Sequence, residues 1–287
     1  MTWVGYACIA AALAGLTFVL VKAGMKKTEA DLAVAVFTSA MLIFASVSFG
    51  ITGVWKTFLD STWLTRSHFF LLLSSLAYGA SLICIFRAMK TGEAQKVTPY
   101  YQSHTVVAMI AAVFILKDTM DVFEIIGVIL ILAGTASMVM LAYKRCKTRV
   151  WIGYAAASVV LAVISIILER KFVSEIADSQ IQFVHIFVTF FLSWILVLVT
   201  GGHKKMRSMP FLDGVFICLA AVAIGMAVYW YHNALAIGPN QYVQPIYRLS
   251  LIWTVVFSCL FLHEQFSARE SFGLLLIIAG TLILYLL

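Results

Sequence analysis

A chain of 287 residues with 63% hydrophobic residues, 11% charged residues and a mean hydropathy of +1.00 departs from water-soluble composition. Soluble domains carry roughly 45–50% apolar and about 25% charged residues, so a single soluble fold, a disulfide scaffold and a disordered chain are all excluded. The net charge of +7 comes from basic residues in short loops between apolar runs rather than on a continuous amphipathic face, which points to membrane orientation and away from nucleic acid.

About 20 apolar residues span the ~30 Å hydrocarbon core as a helix. By that rule the chain reads as ten spans: 2–22, 32–53, 68–88, 96–116, 122–143, 151–169, 180–200, 212–235, 241–262 and 270–287. The first lacks a basic n-region and reads as a retained helix, not a cleaved signal peptide. No connection is long enough for a folded extramembrane domain, so any chemistry sits within the bundle. The expected class is an all-α, multi-pass integral protein of the cell (inner or plasma) membrane.

The five cysteines show no CxxC or His-paired spacing, so neither disulfides nor a zinc site is expected. A GxxxxGK[ST] motif is absent, no cofactor is expected, and no nucleophile–base pair or carboxylate dyad suggests an enzyme.

Loops after spans 1, 3, 5, 7 and 9 hold Lys22, Lys26, Lys27, Arg87, Lys90, Lys96, Lys144, Arg145, Lys147, Arg149, Lys204, Lys205, Arg207 and Arg269. The other side holds Lys56, Arg66, Lys117, Arg170 and Lys171. Fourteen against five places both termini outside.

The chain is also written twice. At an offset of 146, Gly79/Gly225, Ala88/Ala234, Gly92/Gly238, Val97/Val243, Pro99/Pro245, Tyr101/Tyr247, Leu116/Leu262, Glu124/Glu270, Gly127/Gly273, Gly134/Gly280 and Thr135/Thr281 are identical pairs. Trp3, Gly5, Tyr6 and Ala7 match Trp151, Gly153, Tyr154 and Ala155 at an offset of 148. The expected organisation is therefore two five-helix repeats, 1–146 and 147–287. An odd number of spans per repeat inverts the second copy across the membrane, an arrangement suited to alternating access around a midplane site.

Three stretches carry a family resemblance. Residues 114–127 and 260–266, followed by Gly273 and Gly280, resemble the repeat ending of EamA-type members of the drug/metabolite transporter superfamily. Residues 13–22 are similar to that family's first-helix motif, with Ala14 where it usually carries tryptophan. Phe86 through Pro99 and Asn233 through Pro245 also fit. The resemblance covers nearly the whole chain and implies ten helices, a central cavity, transport of small metabolites and cytoplasmic termini, the last against the loop charges.

Arg248, inside span 9, leads the polar candidates because an ionisable group at membrane depth costs at least ~2.5–3.5 kcal/mol and so needs a partner or a task. Gln241, Gln244 and Arg248 share one helix face, and Thr98, Tyr101, Gln102 and Thr105 share the face of the matched helix, with Gln102 the counterpart of Arg248. Two such stripes would line a wet cavity in which Arg248 receives a carboxylate or phosphate. The competing reading is a structural ion pair with Glu169, or snorkelling. On span 8, Tyr229 and His232 share a face with Gly225 and could stack on a substrate; ordinary packing or interfacial anchoring is the rival. His104, His185 and His232 are candidate proton carriers, each equally readable as a packed neutral histidine. Pro99 and Pro245 are hinges or helix starts. The glycine pairs at 127/134 and 273/280 serve close packing within the fold or between copies, which allows a homodimer.

The function expected is a secondary transporter of a small polar metabolite, amino-acid-like or otherwise anionic or zwitterionic. Arg248, Gln244, Tyr247, Tyr101, Gln102, Tyr229 and His232 are its expected substrate contacts, with the solute and membrane lipid as partners and no metal. Its alternatives are a flippase for a lipid-linked substrate and a non-transporting membrane subunit.

Overall fold

The computed structural model describes residues 2–52, 65–145, 150–173, 175–265 and 267–286. Lys56, Cys146, Lys147 and Arg149 lie outside them, as does the boundary between the expected repeats; the side chains of Lys144, Arg145, Gln241 and Arg269 are likewise outside the description. The described residues form helices and connections: α1 (Trp3–Gly24), α2 (Ala30–Thr52), α3 (Arg66–Thr91), α4 (Ala94–Gln102), α5 (His104–Ile115), α6 (Val122–Arg145), α7 (Val150–Phe172), α8 (Asp178–Val199), a single turn α9 (His203–Met206), α10 (Phe211–Ile237), α11 (Asn240–Arg248), α12 (Ser250–Phe257) with a π turn at Ser258–Leu262, and α13 (Ala268–Leu286). Eight helical stretches among them are long and apolar enough to cross a membrane, and no strand occurs among the described residues.

Two expected spans differ from the sequence reading. Residues 96–116 and 241–262 are each broken in the middle, at Ser103 and at Leu249. Pro99 and Pro245 sit inside α4 and α11, at the sixth residue of each, so neither marks a helix start. Each break follows four residues after the proline, where Ser103 N–H reaches back to Pro99 O and Leu249 N–H to Pro245 O, both at 3.2 Å.

Helix pairing repeats with the parts exchanged. α1 packs on α10 and α7 packs on α3; α1 also packs on α12 as α7 does on α5. Trp3 lies against Gly238, and its counterpart Trp151, fully buried, lies against Gly92. α6 and α13 pack antiparallel on each other: a Cβ on Gly127 would stand 2.8 Å from Gly280 O, and one on Gly134 would stand 2.5 Å from Gly273 O. The glycines are therefore used within the fold, where only hydrogen allows two backbones to approach this closely. Duplication extends to strained backbone. Lys117 and His263, matched at the same offset, adopt left-handed conformations (φ 60° and 53°) after α5 and after the π turn. Glu124 and Glu270 both reach back to cap their helices, accepting Asp121 N–H at 3.0 Å and Ser267 N–H at 2.7 Å.

Candidate functional site

The two helix breaks meet at the centre of the bundle. Arg248 is the last residue of α11 and Gln102 the last of α4, and each reaches across to the segment beginning the other broken helix. Arg248 Nη2 donates to Thr105 Oγ1 at 2.6 Å, and Gln102 Nε2 donates to Ser250 Oγ at 3.4 Å. Gln102 Oε1 is buried without a hydrogen-bond partner among the described residues. Beside this crossing lies a cavity of about 300 Å³, bounded by Tyr101, Gln102, His104, Thr105, Tyr231, Gln244, Tyr247 and Arg248, with Ala14, Phe18, Ile224 and Ser250 completing the wall. His104 Nδ1 is 2.6 Å from Tyr101 O, and Tyr231 packs on Tyr247 with ring centres 4.6 Å apart.

Five residues singled out in the sequence, Arg248, Gln244, Tyr247, Tyr101 and Gln102, share this wall. Tyr229 and His232 do not. They share a face with Gly225 as the helical period requires, but that face borders a different cavity of about 370 Å³ between α2, α8 and α10, with Phe44, Phe49, Phe183 and Gln182. Tyr229 is 50% exposed, and His232 Nε2 lies 3.3 Å from Gln182 Nε2. In their place α10 turns Tyr231 and Ile224 toward the central cavity. Four consecutive polar aromatic residues on one helix cover all its sides. The sequence could have selected Tyr231 through its i+7 spacing from Ile224.

Arg248 has no carboxylate partner among the described residues. The expected alternative, Glu169, is engaged elsewhere: its Oε1 lies 3.2 Å from His185 Nε2 and accepts Ser165 Oγ–H at 2.7 Å. Within the apolar bundle Arg248 is thus held by the Thr105 hydroxyl and borders the cavity. Among the described residues, no three His, Cys, Asp or Glu side chains gather where they could hold a metal.

Beyond the cavity, the two ends of the bundle differ. At one end, Lys22 Nζ donates to Met89 O and Gly92 O, both at 2.6 Å, satisfying carbonyls left open where α3 stops. Glu264 accepts Ala94 N–H at 3.0 Å and Gln95 N–H at 3.3 Å at the start of α4, and also Ser258 Oγ–H. Lys96, 2% exposed, pairs with Glu93 and with Glu270 at 3.6 Å. Asp213 accepts the N–H groups of Lys27 and Thr28 at 3.0 Å, and Arg87 forks onto Asp31 at 2.7 and 2.8 Å. At the opposite end, the counterparts of Lys22 and Glu264 are Arg170 and Asp118. These two pair with each other at 2.9 Å, half exposed, instead of capping helix ends.

With this geometry in view, comparison with known proteins decides the family. The EamA-like transporter family matches residues 1–140 and again 149–286. The chain belongs to the EamA-like transporter family. Its curated relatives include an uncharacterized transporter in the cobO 3' region of a Sinorhizobium species, 34% identical over 133 residues that make up 46% of this chain and 93% of the relative. A solved structure described only as a crystal structure of a protein superposes with a TM-score of 0.65 at 15% identity, covering 98% of this chain and 95% of that one, and shows the shared fold. The family and the apolar helices together make this EamA-like chain an integral, multi-pass membrane protein.

Proposed function

We propose that this EamA-like protein is a secondary transporter that moves a small anionic or zwitterionic metabolite by alternating access. In this reading the chain crosses the membrane ten times as two inverted five-helix repeats, 1–146 and 147–287. α4 with α5 forms one broken span, and α11 with α12 and the π turn forms the other. Support comes from the exchanged helix pairing, the antiparallel glycine crossing of α6 on α13, and a relative about half as long that matches a single portion of the chain. Broken helices whose inner ends meet at mid-bundle are how inverted-repeat transporters build their binding sites.

One observation carries the substrate class: Arg248 borders the central cavity, hydrogen-bonded to Thr105 and without a carboxylate partner among the described residues. A guanidinium paired only with a hydroxyl keeps donors free for an anion, and its fork fits a carboxylate or phosphate. Gln244 and Gln102 would orient the polar head, and Tyr101, Tyr231 and Tyr247 would enclose the remainder. The asymmetry of the two ends supports alternation: matched residues cap helix ends on one side and pair with each other on the other.

The test is a thermal-shift screen of the purified chain against amino acids and small carboxylates and phosphates, repeated on Arg248→Ala. A ligand at 100 times its dissociation constant stabilises the folded state by about 2.7 kcal/mol. We expect an anionic ligand to raise the melting temperature of the wild type and not of the variant. Shifts by cations alone, or equal shifts in both proteins, would contradict the assignment.

The cavity between α2, α8 and α10 favours a second reading, a flippase for a lipid-linked substrate, because its wall is mostly aromatic and apolar and includes the half-exposed Tyr229. Accelerated headgroup exposure in liposomes without soluble-solute flux would support it. A homodimer, if formed, would use a surface other than the glycine stripe.

A further inference from the structure

Away from the substrate cavity, α3, α7 and α8 enclose a titratable pair. Glu169 Oε1 and His185 Nε2 stand 3.2 Å apart, with side-chain exposures of 25% and 9%. Ser165 donates to the same carboxylate oxygen at 2.7 Å, and Ser74 Oγ lies 3.4 Å from the imidazole nitrogen. The His185 ring stacks on Tyr78, with ring centres 4.8 Å apart and planes 16° from parallel. Glu169 is three residues from the end of α7, and His185 is seven residues into α8, about 10 Å along the helix at 1.5 Å per residue. The pair is therefore inside the bundle, with the carboxylate as its more accessible member.

Packing does not demand this pair. At the matched position of the other repeat, Glu169 is replaced by Val21, while the neighbouring pair Lys22/Arg170 remains basic. Tyr78 is replaced by Ile224. α2, the partner helix of α8 in the duplication, has no histidine, and its one acid, Asp31, binds Arg87 at the opposite end. One half of the molecule thus builds the same helix contacts from apolar residues. Retaining an acid and a histidine in the other half carries the cost of ionisable groups at membrane depth and calls for a task.

The surroundings connect the pair to the cavity. Tyr78, stacked on His185, is carried by α3, which packs on α4 with its cavity residue Tyr101, and its match in the other repeat, Ile224, itself lines the cavity. Of the charged neighbours, Arg170, next along α7, binds Asp118 from the α5–α6 connection, and Arg66 and Lys171 lie over the Phe172 ring. α4 brings Tyr101 to the cavity and Lys96 to the opposite end, and His104 of α5 contacts Tyr101 O.

We propose that Glu169 and His185 form a proton-binding site, linked through Tyr78 to the cavity around Arg248, by which proton movement drives solute movement. One proton from water enters at the carboxylate and is shared with His185 Nε2, so the pair gains one positive charge; in the opposite-facing state the proton leaves from the same carboxylate. Bringing an anion to Arg248 adds negative charge next to Tyr101 and Tyr247, so loading favours the protonated pair, and symport of proton and anion follows. The proposal rests on the transporter reading above.

Two measurements on the full-length chain separate it from that reading. The first is infrared difference spectroscopy of the purified protein during a pH jump, with no solute present. Its carboxyl and carboxylate difference bands should contain one component, present in the wild type and in Arg248→Ala, that is lost in Glu169→Val. That substitution copies Val21 of the other repeat and is expected to fold. The second uses proteoliposomes holding a pH-sensitive dye, with a mixture of amino acids and small carboxylates outside. Solute addition should move protons in the wild type, and Glu169→Val and His185→Gln should fall to the level of empty liposomes. Proton movement lost in Arg248→Ala while its infrared band persists supports both readings. Movement kept in Arg248→Ala but lost in Glu169→Val overturns the substrate assignment and leaves the proton site standing. Carboxyl difference bands identical in the wild type and Glu169→Val, or proton movement surviving both pair variants, overturn the proton site.

Discussion

The two ends of the bundle are made from matching residues and use them differently. Lys22 and Arg170 occupy equivalent places, as do Glu264 and Asp118. The first member of each pair caps a helix end, while the second members satisfy each other at 2.9 Å near the surface. A chain that had merely duplicated a stable scaffold would settle both ends alike. The difference teaches that matched residues can serve as helix caps at one end of the bundle and as an ion pair at the other, the kind of asymmetry the proposed alternating transporter would use.

That contrast predicts unequal mutational costs. Lys96→Met removes the cation from a buried pair and leaves Glu270, itself fully buried, without its partner. Breaking a buried ion pair this way costs about 3–5 kcal/mol, so the variant should show a large loss of thermal stability or of folded yield. Gly127→Ala comes next, because its methyl would stand 2.8 Å from Gly280 O and force two helices apart. Overpacking of this kind costs about 1–3 kcal/mol and should lower the melting temperature measurably. Lys22→Met uncaps two carbonyls at the end of α3, an effect of about 1–3 kcal/mol, and should raise the reactivity of a cysteine placed at Thr91 toward a soluble maleimide. Arg170→Met removes an exposed pair, whose stability contribution is about 0–1 kcal/mol, so melting should barely change while solute flux slows. Equal losses in Lys96→Met and Arg170→Met would break the comparison.

Much of this was legible in the sequence because duplication leaves matched Gly, Pro, Trp and Tyr residues that hydrophobic drift does not produce. The limits of the long unbroken helices followed from apolar length, and Gln244, Arg248, Tyr101, Gln102 and Thr105 of the cavity wall followed from two matched polar stripes. The breaks at Ser103 and Leu249 were not legible, since neither residue is a helix breaker and the apolar run continues across them. Tyr229 and His232 share a helical face, as periodicity says, but periodicity cannot tell which of two cavities a face borders. Glu169 and His185 lie in different helices, 16 residues apart across a turn, and only the packing of both helices on α3 brings their side chains to 3.2 Å.

The central claim, that a solute is carried at Arg248 between two matched broken helices, is tested most directly by counterflow in proteoliposomes. The radiolabelled probe is whichever anionic ligand stabilises the protein most, assayed with wild type, Arg248→Lys and Arg248→Ala after each is shown to be monodisperse. The account predicts exchange in the wild type, weakened exchange in Arg248→Lys, where charge remains without the fork, and none in Arg248→Ala. Undiminished exchange in Arg248→Ala would contradict it.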